Sequence, residues 1–190
     1  MVNVKKKTVD NWKKKKWYNI NADAVFDSKE IAKTVALESK QLMGRTVVKS
    51  LNELTSNIRD SGHTITFKIN KVTGTTADTQ IQEFNTKVAN LKRMVRRGKS
   101  KVDNIFFIET KDGNRLKLKT MFLSGTKFPT ANRREVRKII EEILIEETKD
   151  KTIKETWSNI IFQKFSDKIK KRLVKLGYVH KVLVVKAKLT

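Results

Sequence analysis

The sequence predicts an α+β domain: an antiparallel, β-barrel-like sheet with flanking helices behind a basic N-terminal tail. Three observations predict it. From Arg45 to Leu123 the apolar residues mostly alternate with polar ones, the period of a half-buried strand. After Pro129 the apolar spacing lengthens to that of an amphipathic helix. A final apolar run, Val179–Ala187, then has to return to the sheet. Hairpin-linked strands that curl closed would remove exposed edges. The 190 residues suit one domain with its own core, 17–190, behind a tail at 1–16.

Met1–Lys16 carries Lys5-Lys6-Lys7 and Lys13-Lys14-Lys15-Lys16 around Trp12, with only Asp10 opposed, so it repels itself until an anion orders it. Packing starts at the β-prone Trp17-Tyr18-Asn19-Ile20. Two short helical pieces are predicted next, Lys29–Val35 and Leu37–Met43, the second closed by Gly44. Thr46-Val47-Val48 is β-branched, and in His63–Val72 the residues Ile65, Phe67 and Ile69 alternate with Thr66 and Lys68. Gly74 turns the chain into Thr76–Phe84.

Thr86–Arg97 fits a short helix with Val88, Leu91 and Val95 on one side. Ile105–Ile108 is apolar on both faces and predicts a central strand. Lys111-Asp112-Gly113-Asn114 supplies the Asp-Gly pair of a tight hairpin. On the return strand Leu116 and Leu118 face inward, and Arg115, Lys117 and Lys119 form an outward row. Val136, Ile139, Ile140, Ile143 and Leu144 then mark a helix with Thr130 as N-cap. Thr152-x-x-Glu155 has the form of a capping box, opening a helix with Trp157, Ile160, Ile161 and Phe165. Ser166 restarts the pattern with Ile169, Leu173 and Leu176 inward, and Gly177 closes it. No internal repeat is present.

Composition narrows the function. With 43 Lys+Arg against 20 Asp+Glu, the net charge is +23. Such an excess destabilises a compact state by self-repulsion, so it implies a polyanionic partner, most simply nucleic acid. The absence of Cys excludes disulfides, thiolate nucleophiles and Cys-based zinc sites. No apolar run approaches the roughly 20 residues of a membrane-spanning helix. The basic start is not followed by the apolar stretch of a signal peptide, so a cytoplasmic protein is expected.

Searching for catalysis yields little. His63 and His180 lie far apart in predicted strands and lack the cluster of ligands a metal needs. Gly98-Lys99-Ser100 matches only the end of a phosphate-binding loop, because Arg93 stands where the earlier glycine belongs. Glu141, Glu142, Glu146 and Glu147 fall on the solvated side of their helix, away from any partner for acid–base work. No enzyme, metal or cofactor is expected.

The cations outside the tail form three groups. Lys87–Lys101 holds Lys92, Arg93, Arg96, Arg97 and Lys99 with no acidic residue among them, and Arg93 and Arg97 would share a helix side. Arg115, Lys117 and Lys119 would stand ~7 Å apart, near phosphate spacing, although lysines also serve to protect strand edges. Arg133, Arg134, Arg137 and Lys138 crowd a helix start, where the macrodipole disfavours them by about 0.3–1 kcal/mol each. A phosphate resting there would reverse that sign. Trp17-Tyr18 can stack on bases or anchor the chain to its core; the sequence leaves both open.

Several fragments, in this order and spacing, carry a resemblance. They are Trp12-Lys13-Lys14-Lys15-Lys16-Trp17-Tyr18, Phe26, Glu30-Ile31, Leu42-Met43-Gly44-Arg45 and Val95-Arg96-Arg97-Gly98-Lys99-Ser100-Lys101-Val102-Asp103. Thr110-Lys111-Asp112-Gly113 and Arg134-Glu135-Val136-Arg137-Lys138-Ile139-Ile140-Glu141-Glu142 complete the set. The chain resembles the small-subunit ribosomal protein family of archaea and eukaryotes known as S-three-A-e, or S-one-e. It departs from that pattern at Ala22-Asp23, where the family has Ala-Pro, and at Gly98, which interrupts a run of arginines. Eukaryotic members run longer at the C-terminus, so this length resembles an archaeal protein.

The resemblance implies a β-barrel-like core with surrounding helices and a structural, rRNA-binding role. It places that role on the platform of the small ribosomal subunit, near the 3′ end of the rRNA and the mRNA exit. Neighbouring platform proteins are implied partners, and contact with mRNA or initiation factors is left open. The expected RNA-binding residues are Lys13, Lys14, Lys15, Lys16, Arg45, Lys92, Arg93, Arg96, Arg97, Lys99, Lys101, Arg115, Lys117, Lys119, Arg133, Arg134, Arg137 and Lys138. Two rivals stand beside this reading. A free DNA-compacting protein would suit the charge equally, and a nucleic-acid-processing enzyme would need the acidic helix to gather a metal.

Overall fold

The computed structural model describes residues 12–174 and 179–190, so the first lysine run and the expected roles of Leu176 and Gly177 lie outside it. In chain order the elements are β1 (Lys16–Asn21), β2 (Glu30–Ala36), β3 (Thr46–Ser50), α1 (Leu51–Thr55), β4 (His63–Thr73), β5 (Thr76–Thr86) and α2 (Val88–Met94). Next come β6 (Lys101–Glu109), β7 (Arg115–Ser124), α3 (Thr130–Lys149), α4 (Ile153–Ile161), α5 (Lys164–Leu173) and β8 (Val179–Leu189). The class is α+β, as the change of period predicts. Two compact units emerge. One runs up to Val47 and includes Lys68–Gln80; the other holds Val48–Phe67 and Ile81–Thr190.

In the first unit, β1 pairs antiparallel with β2, in the register Trp17↔Val35 and Asn19↔Lys33. It also meets the start of β5 in parallel over Asn19↔Thr76 to Asn21↔Asp78. Alternation along β1 sends Tyr18 and Ile20 into a core with Ala36, Leu42, Ile69 and Ala77. The helix expected at Lys29–Val35 is therefore a strand. Its Lys and Glu favour helix only weakly, whereas β-branched Ile31, Thr34 and Val35 suit the pleated ladder that β1 offers. The second expected helix shrinks to one 3-10 turn, Ser39–Leu42, and Gly44 follows in the left-handed region at φ 81.

In the second unit, the end of β5 pairs with β8 through Glu83↔Lys188, β8 with β7, and β7 with β6. Helices α3 and α5 pack against β6 and β8 respectively. Phe67, Phe84, Leu116, Leu118, Phe122, Val136, Ile140, Leu144, Trp157, Phe165 and Ile169 are all buried, matching the predicted apolar faces. The capping box forms, with Thr152 N–H donating to Glu155 Oε2 at 3.2 Å and Glu155 N–H to Thr152 Oγ1 at 3.5 Å. Gln163, at φ 55, separates α4 from α5, which puts Phe165 in the second of these helices. Helix α3 is capped at Pro129, not Thr130, without a side-chain bond.

The strand order is β2-β1-β5-β8-β7-β6, with β3 and β4 paired off this path. The sheet is not closed, so β6 is an edge strand. Charged Lys101, Asp103 and Glu109 along it discourage further pairing. Edge protection by charge removes the need for closure. It also corrects the central position predicted for Ile105–Ile108.

Candidate nucleic-acid interface

The β6–β7 hairpin carries the cationic row predicted on the return strand. Gly113, at φ 74, lets the chain reverse tightly, and Gly113 N–H donates to Thr110 O at 2.9 Å. Asp112 accepts from Ile153 N–H at 2.8 Å, fastening the turn to the start of α4. Leu116 and Leu118 point inward at 0% exposure, and Arg115, Lys117 and Lys119 point outward, as their alternation requires. On β6 the inward residues are Val102, Asn104, Phe106 and Ile108. Ile105 and Phe107 face solvent, at 55% and 64% exposure.

Register aligns these residues into rows. Phe107 lies opposite Lys117, which lies opposite Lys188; Ile105 lies opposite Lys119, which lies opposite Lys186. Lys117 Nζ sits 5.4 Å from the Phe107 ring centre, a cation–π contact. Arg115 Nε donates to Glu109 Oε1 at 2.7 Å, and Lys186 pairs with Glu83 at 2.7 Å. Lys117, Lys119 and Lys188 make no ion pair among the described residues. Like charges directly opposite one another destabilise a sheet. Glu83 already meets the charge of Lys186, so Lys117 opposite Lys188 is the like-charge pair without an ion-pair partner among the described residues.

The second cationic group is less regular than predicted. Helix α2 ends at Met94 because Val95 turns extended, so Arg97 lies beyond it and shares no helix side with Arg93. Arg96, Arg97 and Gly98 are exposed in the connection to β6, and Lys99 is half-buried. Lys101 pairs with Asp103 at 2.7 Å. Ser100 is buried, with Oγ accepting from Phe128 N–H at 2.9 Å, so the Gly98-Lys99-Ser100 match serves packing.

Arg93 also lines a cleft of about 820 Å³ with Arg59 and Lys181, two cations the sequence does not single out. They are isolated charges in distant segments, and only tertiary contact joins them to Arg93. His63 also lines this cleft. Gln163 Nε2 lies 3.2 Å from its Nε2, its Nδ1 lies 3.0 Å from Thr86 Oγ1, and Thr86 donates on to Val184 O. One neutral tautomer satisfies this whole chain of bonds. Burial pushes the His63 pKa below the ordinary imidazole range, with Asp60 opposing the shift and Lys181 adding to it. His63 is a packing group.

At the start of α3, two of the four cations are spent on the fold. Arg133 donates to Phe128 O at 3.1 Å and to Ser100 Oγ at 3.4 Å, while Arg137 donates to Asn104 Oδ1 at 3.1 Å. All four side chains are exposed, and Arg134 and Lys138 make no hydrogen bond or ion pair among the described residues. The reversed helix polarity is thus compensated in part by bonds across to β6 and its approach. Farther along, Glu147 meets Lys151 at 2.6 Å and Lys168 at 2.5 Å, and Glu146 meets Arg172 at 3.2 Å. Those lysine bonds hold the Glu147 pKa below the ordinary carboxylate range. The acidic helix ties α3 to α5.

In the first unit, Lys13, Lys14, Lys15 and Lys16 are exposed, with Lys15 Nζ 4.3 Å from the Trp12 ring centre. The Trp17-Tyr18 pair is divided. Tyr18 is buried at 5% exposure and Trp17 stands out at 67%. Arg45 donates to Thr34 Oγ1 and Val35 O, both at 3.2 Å, which fixes it on β2.

Among the described residues, no three His, Cys, Asp or Glu gather as a metal site, and no helix is long and apolar enough to cross a membrane. The model of the Ribosomal S3Ae family matches residues 3–190. A protein of Methanocaldococcus jannaschii is 31% identical over 96% of this chain and 82% of its own length. One of Staphylothermus marinus is 33% identical over 95% and 85%, and one of Methanothermobacter thermautotrophicus 30% identical over 94% and 92%. All three bear the name small ribosomal subunit protein eS1. The chain belongs to the Ribosomal S3Ae family.

Proposed function

We propose that this member of the Ribosomal S3Ae family is a structural constituent of the small ribosomal subunit that holds folded rRNA through its cationic faces. The carrying observation is the family match over residues 3–190, joined to relatives named for that subunit. The role is structural, not enzymatic, and it belongs to the cytoplasmic ribosome. Its partners are rRNA and other ribosomal proteins.

Within that role, the exposed lysines 13–16, the connection around Arg96 and Arg97, and Lys117 and Lys119 neutralise phosphates, beside Arg115, whose guanidinium is ion-paired with Glu109. Arg134 and Lys138 add to them. Arg133, Arg137 and Arg45 chiefly brace the elements that carry the others, because their guanidinium groups are already hydrogen-bonded to the protein. Phosphate contacts fix placement, and selectivity comes from RNA shape. The resemblance supports a position on the platform near the mRNA exit, with mRNA or initiation factors within reach.

Quantitative mass spectrometry of salt-washed small subunits tests the reading. One copy per subunit is expected. Its absence from washed subunits, with recovery on DNA, would favour the compacting protein instead.

A further inference from the structure

We infer that the outer face of β6, β7 and β8 receives an unpaired RNA strand, with one base stacked on Phe107 and the backbone running along the lysine rows. The inference rests on the RNA-binding reading above and names which form of RNA this face takes.

Three observations carry it. First, Phe107 is an aromatic ring 64% exposed on an edge strand, next to Ile105 at 55%. Second, its cross-strand neighbours are cations: Lys117 beside it, Lys188 beyond, and Lys119 in the adjacent row, where Lys186 is already held by Glu83. Third, Lys117 already lies over the ring, so the aromatic face and the charge are held together.

A duplex buries its base faces and offers only phosphates, which would leave Phe107 and Ile105 unused. A single strand offers both groups at once: a base face for the ring and phosphates at ~7 Å intervals for lysines two residues apart on β7. A docked protein segment would also cover the apolar pair. To satisfy the rows it would have to be strongly acidic, and the charge pattern is met more directly by a polyanion.

The test uses the full chain and two probes: a short single-stranded RNA carrying 2-aminopurine, and the same sequence as a duplex. Wild type should quench the aminopurine on binding the single strand. Phe107→Leu keeps an apolar side chain and loses the stacking face. It should bind the single strand roughly fivefold to 150-fold more weakly, the range spanned by losing one stacked base. Duplex binding should stay unchanged, which also shows that the variant is folded. Phe107→Trp should restore affinity and quenching.

If Phe107→Leu binds the single strand as wild type does while RNA binding persists, the stacking role is wrong and the apolar pair serves a protein neighbour. If wild type binds neither probe at low salt, the RNA-binding reading falls and this inference with it.

Discussion

Replacing both Lys117 and Lys119 by Gln should weaken RNA binding while leaving the fold as stable as before, or slightly more so. The two readouts move apart because of where these side chains stand. Lys117 faces Lys188 across the β7–β8 ladder with no acid paired to either among the described residues, whereas Lys119 faces Lys186, whose charge Glu83 already meets, so the native sheet carries one uncompensated repulsive pair. Removing Lys117 from the first pair relieves a cross-strand penalty of about 0.2–1 kcal/mol, and removing Lys119 changes stability little. The same change removes two phosphate contacts. Each neutralised phosphate contributes about 0.7 to the slope of log affinity against log salt on a single strand and about 0.9 on a duplex. The double variant should therefore lose about 1.4 to 1.8 from that slope. Between 50 and 200 mM salt, wild type would lose roughly seven- to twelve-fold more affinity than the variant. Filter binding across a potassium chloride series gives the slope, and urea unfolding gives the stability. An unchanged slope means the row touches no phosphate. A fall in stability of more than about 1 kcal/mol would mean the lysines support the sheet, contrary to the like-charge argument.

Three further outcomes test the fold that carries this face. Thr152→Ala removes the side-chain half of the capping box at α4 and should cost about 1 kcal/mol, seen as a lower urea midpoint at unchanged m-value. Trp157 is 2% exposed and its buried indole N–H has no hydrogen-bond partner among the described residues. Trp157→Ala should cost about 3–5 kcal/mol, and Trp157→Phe much less, because it also removes an unsatisfied donor; calorimetry compares the two. His63 has a folded pKa below its unfolded value of about 6.5, so the unfolded chain binds more protons and stability rises with pH. Its contribution is complete above about pH 6.5 and is lost as pH falls through the folded value. Melting temperature between about pH 5 and 6.5 should fall more steeply in wild type than in His63→Gln, and parallel curves would refute it. Glu147 leaves this window undisturbed, since its depressed pKa acts only below about 4.5.

Much of the fold was legible because its signals are local. Alternation along β4 and β7, the 3.6-residue stripe of α3, the Asp112-Gly113 turn and the Thr152/Glu155 box each depend on residues a few positions apart. Where local preference was weak, pairing decided instead. In Glu30–Ala36 the helix preference of Glu, Ala and Lys is a small bias per residue, and the ladder with β1 makes the segment a strand. At Ile105–Ile108 four successive apolar residues look the same to the eye whether the strand is central or at an edge. Only the pairing partner tells which faces are buried. The site follows the same division. The outward lysine row of β7 was readable from period two alone. Phe107 and Ile105 as exposed companions were not, and neither was the joining of Arg59 and Lys181 to Arg93.

By itself, then, the sequence determined the α+β class, the cationic character, and the family that its ordered fragments resemble. The tertiary structure decided which cations are already bonded to the protein, as in Arg133 and Arg137, and which confront one another with no ion pair among the described residues, as in Lys117 and Lys188. Charge is a property each residue carries along the chain. Whether that charge is compensated depends on what the fold sets opposite it, often many residues away.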